Sequence, residues 1–173
     1  SSVAVAYNNT GADVSRTLAV TVGGSSVSAP LSVASGQTAV VVTGLNAQVK
    51  NFVTLTGDFG FQKTTAASPA DDELLVVSSN AAAKLKVGTA VEAGVSGATL
   101  ALLVRGDGTL ALQASGTAAL SLGNGFASAT ASSVAVAYNN TGADVSRTLA
   151  VTVGGSSVSA PLSVASGQTA VVV

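Results

Sequence analysis

Carboxylates and hydroxyls are the side chains from which this chain could build a reactive or ion-binding site, because it contains neither Cys nor His. Without those two residues there is no thiolate nucleophile and no usual zinc or iron ligand set. A Ser-His-Asp relay lacks its base. Ser-Lys chemistry stays formally open, but none of Lys50, Lys63, Lys84 and Lys86 sits in a supporting motif, so no enzyme is expected. The carboxylates do cluster. Asp71, Asp72 and Glu73 end the polar, Pro-containing stretch TTAASPADDE at 64–73. Calcium takes several carboxylate and carbonyl oxygens from irregular backbone, which makes these three candidate calcium ligands. The plainer reading is a solvated loop that keeps an apolar protein soluble.

Asp107 is a fourth calcium candidate. It stands in Gly106-Asp107-Gly108, similar to a fragment of a calcium-binding nonapeptide repeat. One copy with one acid reads more simply as a tight hairpin turn. Asp13 with Arg16, and Asp144 with Arg147, are spaced to pair across a turn or strand end. An exposed pair of that kind contributes on the order of 0–1 kcal/mol. Asn8-Asn9-Thr10 and Asn139-Asn140-Thr141 match the glycosylation acceptor pattern, and the same residues are ordinary turn formers. Lys50 beside Asn51 invites a Lys–Asn crosslink, but neighbours on a strand point to opposite faces, which argues against one.

These residues need elements to hold them, and the largest regularity available is a repeat. Ser1–Val42 returns without a difference as Ser132–Val173, an offset of 131 residues. Identity over all 42 positions marks very recent duplication or continued exchange between copies. Residues 1–42 therefore read as the closing part of one unit and residues 43–173 as one full period, long enough for its own core. With 47% hydrophobic and only 9% charged residues, the chain is too apolar for disorder. No run approaches the ~18 apolar residues of a membrane span. A net charge of −1 and scattered aromatics leave no footprint for nucleic acid. Ser1 carries neither a Met start nor a leader, so an internal piece of a longer chain is expected.

Period-two alternation dominates. Over Thr109–Leu122, Leu110, Leu112, Ala114, Gly116, Ala118, Leu120 and Leu122 share a face, predicting one strand about twice the usual length. Ala47–Lys63 reads as a second long strand, with Val49, Val53, Leu55, Phe59 and Phe61 in its inward row and Gly57 among them marking a bulge or a close neighbouring backbone. Val145–Val153 repeats the pattern of Val14–Val22. Turn chemistry lies at Asn8–Gly11, Gly23-Gly24, Ser35-Gly36, Gly106–Gly108 and Gly123–Gly125. About nine or ten strands per period are expected, and 80–86 is either a helical turn or strand.

Three segments carry a resemblance: Phe52–Lys63 (FVTLTGDFGFQK), Gly108–Gly116 (GTLALQASG) and Tyr138–Gly142 (YNNTG). Together they look like the tandem-repeat region of very large bacterial surface and secreted, adhesin-like, fibre-forming proteins. That resemblance implies an extracellular or cell-surface protein of fibre or biofilm matrix, partnered by identical repeats and by cell or abiotic surfaces. Taken with the strand pattern, the expected fold is all-β, a tandem repeat of antiparallel β-sandwich or rolled-sheet units that share strands. The alternative is one continuous β-solenoid-like sheet. The expected function is a stiff spacer or filament-building unit, each copy adding about 35–40 Å. The alternatives are a repeat module binding calcium or glycan, and a lipid-carrying β-groove.

Overall fold

A computed structural model describes residues 1–49, 53–88, 91–122 and 126–173. The chain is all-β, built from open antiparallel sheets. Its strands are β1 (Ser2–Tyr7), β2 (Val14–Val22), β3 (Ser25–Val33), β4 (Gln37–Val49), β5 (Val53–Thr64), β6 (Glu73–Val87), β7 (Val91–Arg105), β8 (Leu110–Leu122), β9 (Ala127–Asn139), β10 (Val145–Val153), β11 (Ser156–Val164) and β12 (Thr169–Val172). A 3-10 turn, Pro69–Asp71, sits in the loop before β6. Eight strands form one sheet in the order β1-β4-β5-β6-β7-β8-β9-β12. The pairs β2-β3 and β10-β11 are separate two-stranded hairpins.

The two ends of the sheet are equivalent. At one edge Tyr7 pairs with Thr38 and Ala6 with Ala39; at the other Tyr138 pairs with Thr169 and Ala137 with Ala170. These are the same residue pairs, displaced by 131 positions. Between each pair of strands the chain leaves the sheet to make a hairpin, closed by Gly23-Gly24 or Gly154-Gly155 in positive φ. Val14–Val22 and Val145–Val153 alternate apolar and polar residues, as a hairpin with one buried face requires.

Only the second hairpin finds something to cover. β10 and β11 lie across the main sheet, between them touching every strand from β4 to β9. Nine residues of strand span about 30 Å, enough to cross six strands spaced ~4.8 Å apart. Leu149, Val151, Val153, Val158, Ala160, Leu162 and Val164 pack there on Ala39, Val41, Leu75, Val77, Ala101, Leu103 and Ala111. The same side chains in β2–β3 lie in solvent: Val20 is 65% exposed against 0% for Val151, and Val27 75% against 2% for Val158. Burying one such side chain stabilises by roughly 1.5–3 kcal/mol.

The sheet is creased by bulges, of which the sequence points to the one at Gly57, where the ladder shifts and the Ala81 backbone comes close. Register shifts interrupt the ladders at Val42/Leu45, Thr56/Asp58, Ser78/Ala81, Ala81/Ala83, Ser96/Thr99 and Gly116/Ala118. Gly44, Asn80 and Gly97 take positive φ there, the conformation a bulge residue needs. Glycines that would otherwise mark turns are absorbed within strands, so β6 and β7 reach 15 residues each. Among the described residues one period, β4 to β11, holds eight strands rather than nine or ten. Residues 80–86 are strand. The expected single strand 47–63 is two, since β4 ends at Val49 and pairs with β5 from Val53.

The inward row is corrected as well. The Phe59/Phe61 row and the Leu110/Leu112 row face away from the hairpin, and Phe61 is 43% exposed. The covered face carries Gly60, Ala101 and Ala111 beside Val41, Leu75, Val77 and Leu103. A Cβ on Gly60 would stand 2.8 Å from Val151 Cβ.

Leu149→Ala should cost about 2–5 kcal/mol in urea unfolding. The identical change at Leu18 should stay within about 0.5 kcal/mol. Gly60→Ala, which overpacks the interface, should cost about 1–3 kcal/mol.

Candidate functional site

The candidate site is the seat of the hairpin on the sheet, and its pivot is a buried asparagine. Asn139 ends β9 at 1% exposure. Its Nδ2 donates to Ala143 O and Val164 O, both at 2.9 Å, while Oδ1 accepts from Thr141 N at 2.9 Å and Thr141 Oγ1 at 2.8 Å. The amide is thereby saturated and ties the sheet strand to both ends of the hairpin. Asn139 N donates to Gln168 O, and Gln168 Oε1 accepts from Ala165 N, so the exit is held at the same point. Asn8 makes the same set with Ala12, Val33, Thr10 and Gln37, although its hairpin has no seat. The clamp is local. It aims the hairpin before any sheet is met.

Two polar contacts fix the docked position. Arg147 Nη2 donates to both Glu73 carboxylate oxygens at 3.1 Å, and Gln113 Oε1 accepts from Ser163 N at 2.7 Å. The expected Asp144–Arg147 pairing is not what forms. Asp144 Oδ1 accepts from Ser166 N, and Asp13 Oδ1 likewise from Ser35 N. Each aspartate is used in closing its own hairpin's exit turn. Arg147 is free to cross to β6, and Arg16 makes no ion pair among the described residues.

The calcium candidates divide. Asp71, Glu73 and Asp107 line one shallow depression with Arg105. Asp72 turns the other way, accepting from Ala66 N at 2.9 Å with Lys63 Nζ 4.0 Å from its second oxygen. Asp107 Oδ1 accepts from Thr109 N at 2.8 Å and Thr109 Oγ1 at 2.7 Å, closing the β7–β8 turn. Those hydrogen bonds hold its carboxyl below the usual range. Glu73 is engaged by Arg147. Among the described residues no three carboxylates converge on a point that could hold a metal ion.

Asn8 and Asn139, the acceptor positions of the glycosylation pattern, have their amide nitrogens buried and doubly bonded. Lys50-Asn51 and Gly123–Gly125 lie outside the described residues. An open groove of about 550 Å³ runs beyond the hairpin, lined by Ala82, Lys84, Gly94, Thr117, Ala119 and Thr130 among others. Its charges are paired: Lys84 Nζ lies 2.6 Å from Glu92 Oε1, a hydrogen bond that lowers the Glu92 carboxyl below its usual range. The sequence presents Asn139 as a glycosylation acceptor or a turn former; four bonds to one amide depend on β9, the turn and β11 converging.

Asn139→Ala should destabilise by about 2–4 kcal/mol in urea, since it orphans buried carbonyls, and neither Asn8 nor Asn139 should carry glycan by intact mass after expression in a glycosylating host. Thr109→Val should raise the Asp107 carboxyl towards its ordinary range in an NMR pH titration. A lowered carboxyl favours the folded state above its ordinary pKa and loses that contribution as pH falls through the folded-state value. Searches of protein families, curated proteins and solved structures found no match to this chain.

Proposed function

We propose that this chain is a structural repeat of a bacterial extracellular fibre or giant adhesin, a stiff spacer in which successive 131-residue units share one continuous sheet. The observation that carries the reading is the pair of identical hairpins. One is buried on strands that precede it, and the other, which follows the edge strand β1, has the same apolar face bare. A preceding unit would supply Ala101, Leu103 and Val77 for Val20 and Leu18, and its Glu73 for Arg16. The equal registers at the two edges fit the same array: β12 would extend into the next unit's β4, leaving no free edge between units.

In such an array each period adds six sheet strands, from β4 to β9, or about 29 Å along the hydrogen-bonding direction. That is shorter than the 35–40 Å expected of compact globules placed end to end, because units joined through a shared sheet leave no gap. Stiffness follows from the same geometry. Each hairpin bridges six strands, so bending the sheet strains nearest-neighbour contacts. Placement at a cell surface or in a biofilm matrix is supported by the three segments that resemble fibre-forming repeats.

Electron microscopy of the native polymer should show a rod with an axial repeat of about 29 Å. Beads joined by flexible linkers, or an aperiodic globule, would refute the shared sheet. Adding one more period ahead of residue 1 should give the hairpin of residues 14–33 the slow hydrogen exchange of its docked counterpart.

A further inference from the structure

The face of the main sheet that the hairpin leaves alone is predominantly apolar across all its strands. Pairing registers place Val5, Val40, Phe61, Val76, Leu102, Leu112 and Tyr138 in one row across seven strands. Val42, Phe59, Ser78, Leu100, Ala114, Val136 and Val171 make the next, in which Ser78 is the polar member and is 3% exposed. The bulges do not break this side. β5 and β8 run through the crease with their alternation intact, and the extra residues of β4, β6, β7 and β9 bring their strands back into phase. Leu55, Leu85, Val95 and Leu120 therefore continue the same face beyond it.

Charge is sorted accordingly. Asp58, Glu73, Lys84, Lys86, Glu92 and Arg105 all alternate onto the hairpin side. Among the described residues of β4 to β9, Lys63 alone falls on the apolar side, at its margin and beside Asp72. The strongly exposed large hydrophobics of β5 to β8, which are Phe61, Leu74, Leu85, Val87, Val95, Leu120 and Leu122, all lie there.

Six strands of about 12 residues present on the order of 1,100 Å². Soluble monomers rarely expose more than a few hundred Å² of contiguous apolar surface, while a stable interface needs about 800 Å² per partner. We infer that this face docks against the same face of a second copy of the chain, two sheets packed about 10 Å apart with their hairpins outermost. Three observations select that occupant. The area matches a stable dimer, and the near-absence of charge lets like meet like without repulsion. The rows also reach both equivalent edges, so a partner must carry the same row spacing to follow them. The pairing goes beyond the spacer reading and stands on the face alone: a lone chain that dimerises while native material shows no rod would defeat that reading and leave this one standing.

The test is sedimentation velocity on the 173-residue chain at about 50 µM, with vesicle flotation in parallel. The wild type should sediment as a dimer. Leu102→Lys should weaken association about 100-fold or more. Leu120→Lys, remote from the hairpin's seat and 40% exposed, should do the same with an unchanged circular dichroism spectrum. Val20→Lys on the bare hairpin and Thr117→Lys on the opposite face should leave the dimer intact. A monomeric wild type, or association abolished by Val20→Lys and kept by Leu120→Lys, would overturn the proposal. So would a monomer that floats with phosphatidylcholine–phosphatidylglycerol vesicles and is released by Leu120→Lys, which would make the face lipid-binding.

Discussion

A two-stranded hairpin cannot bury its own apolar face, and everything distinctive here depends on that. The residues 14–33 and 145–164 are the same, form the same ladder and hang from the same buried asparagine. Their surroundings differ because one lies across β4 to β9, while the other packs on no such set of strands among the described residues. Hydrophobic burial is decided by what stands opposite, at roughly 25 cal/mol per Å². A segment can therefore be part of a core in one copy and bare in the next. The unit that folds is not the unit that repeats: a hairpin belongs energetically to the strands before it.

The clamp at Asn139 and the crease of bulges divide the remaining work. The clamp satisfies backbone carbonyls at the hairpin's base and sets its direction, which a flexible connection would leave undetermined. The bulges let strands of up to 15 residues bend without exchanging their faces. Because phase is restored after each extra residue, one side stays apolar over the whole strand length. The other is apolar only beneath the hairpin and charged beyond it. The closest approach of the hairpin falls at a residue with no side chain, Gly60.

The carboxylates illustrate how local composition can suggest a site that geometry disperses. Asp71, Asp72 and Glu73 are adjacent in sequence, yet a strand start sends Asp72 and Glu73 to opposite neighbours, Lys63 and Arg147. Asp107 closes a turn through Thr109. The Asp144–Arg147 spacing was equally suggestive. Each partner instead meets a group brought by a different strand, Ser166 N for one and Glu73 for the other.

Strand identity was legible from the residues because it follows from local steric preference and alternation. Thr109–Leu122, Val145–Val153 and the Gly23-Gly24 turn needed nothing distant to specify them. The exact repeat was legible too, and with it the equivalence of residues 1–42 and 132–173. What alternation cannot convey is which side of a strand meets a neighbour. The Phe59/Phe61 row, the richer one of its strand, reads from the sequence as the interior. The hairpin packs instead on the opposite side, where Gly60, Ala101 and Ala111 lie among Val41, Leu75, Val77 and Leu103. Nor could spacing reveal that Gly44 and Gly97 bend strands rather than end them, since a bulge and a turn ask the same positive φ of a glycine. Those choices belong to packing between segments far apart in the chain, so only the assembled sheet could make them.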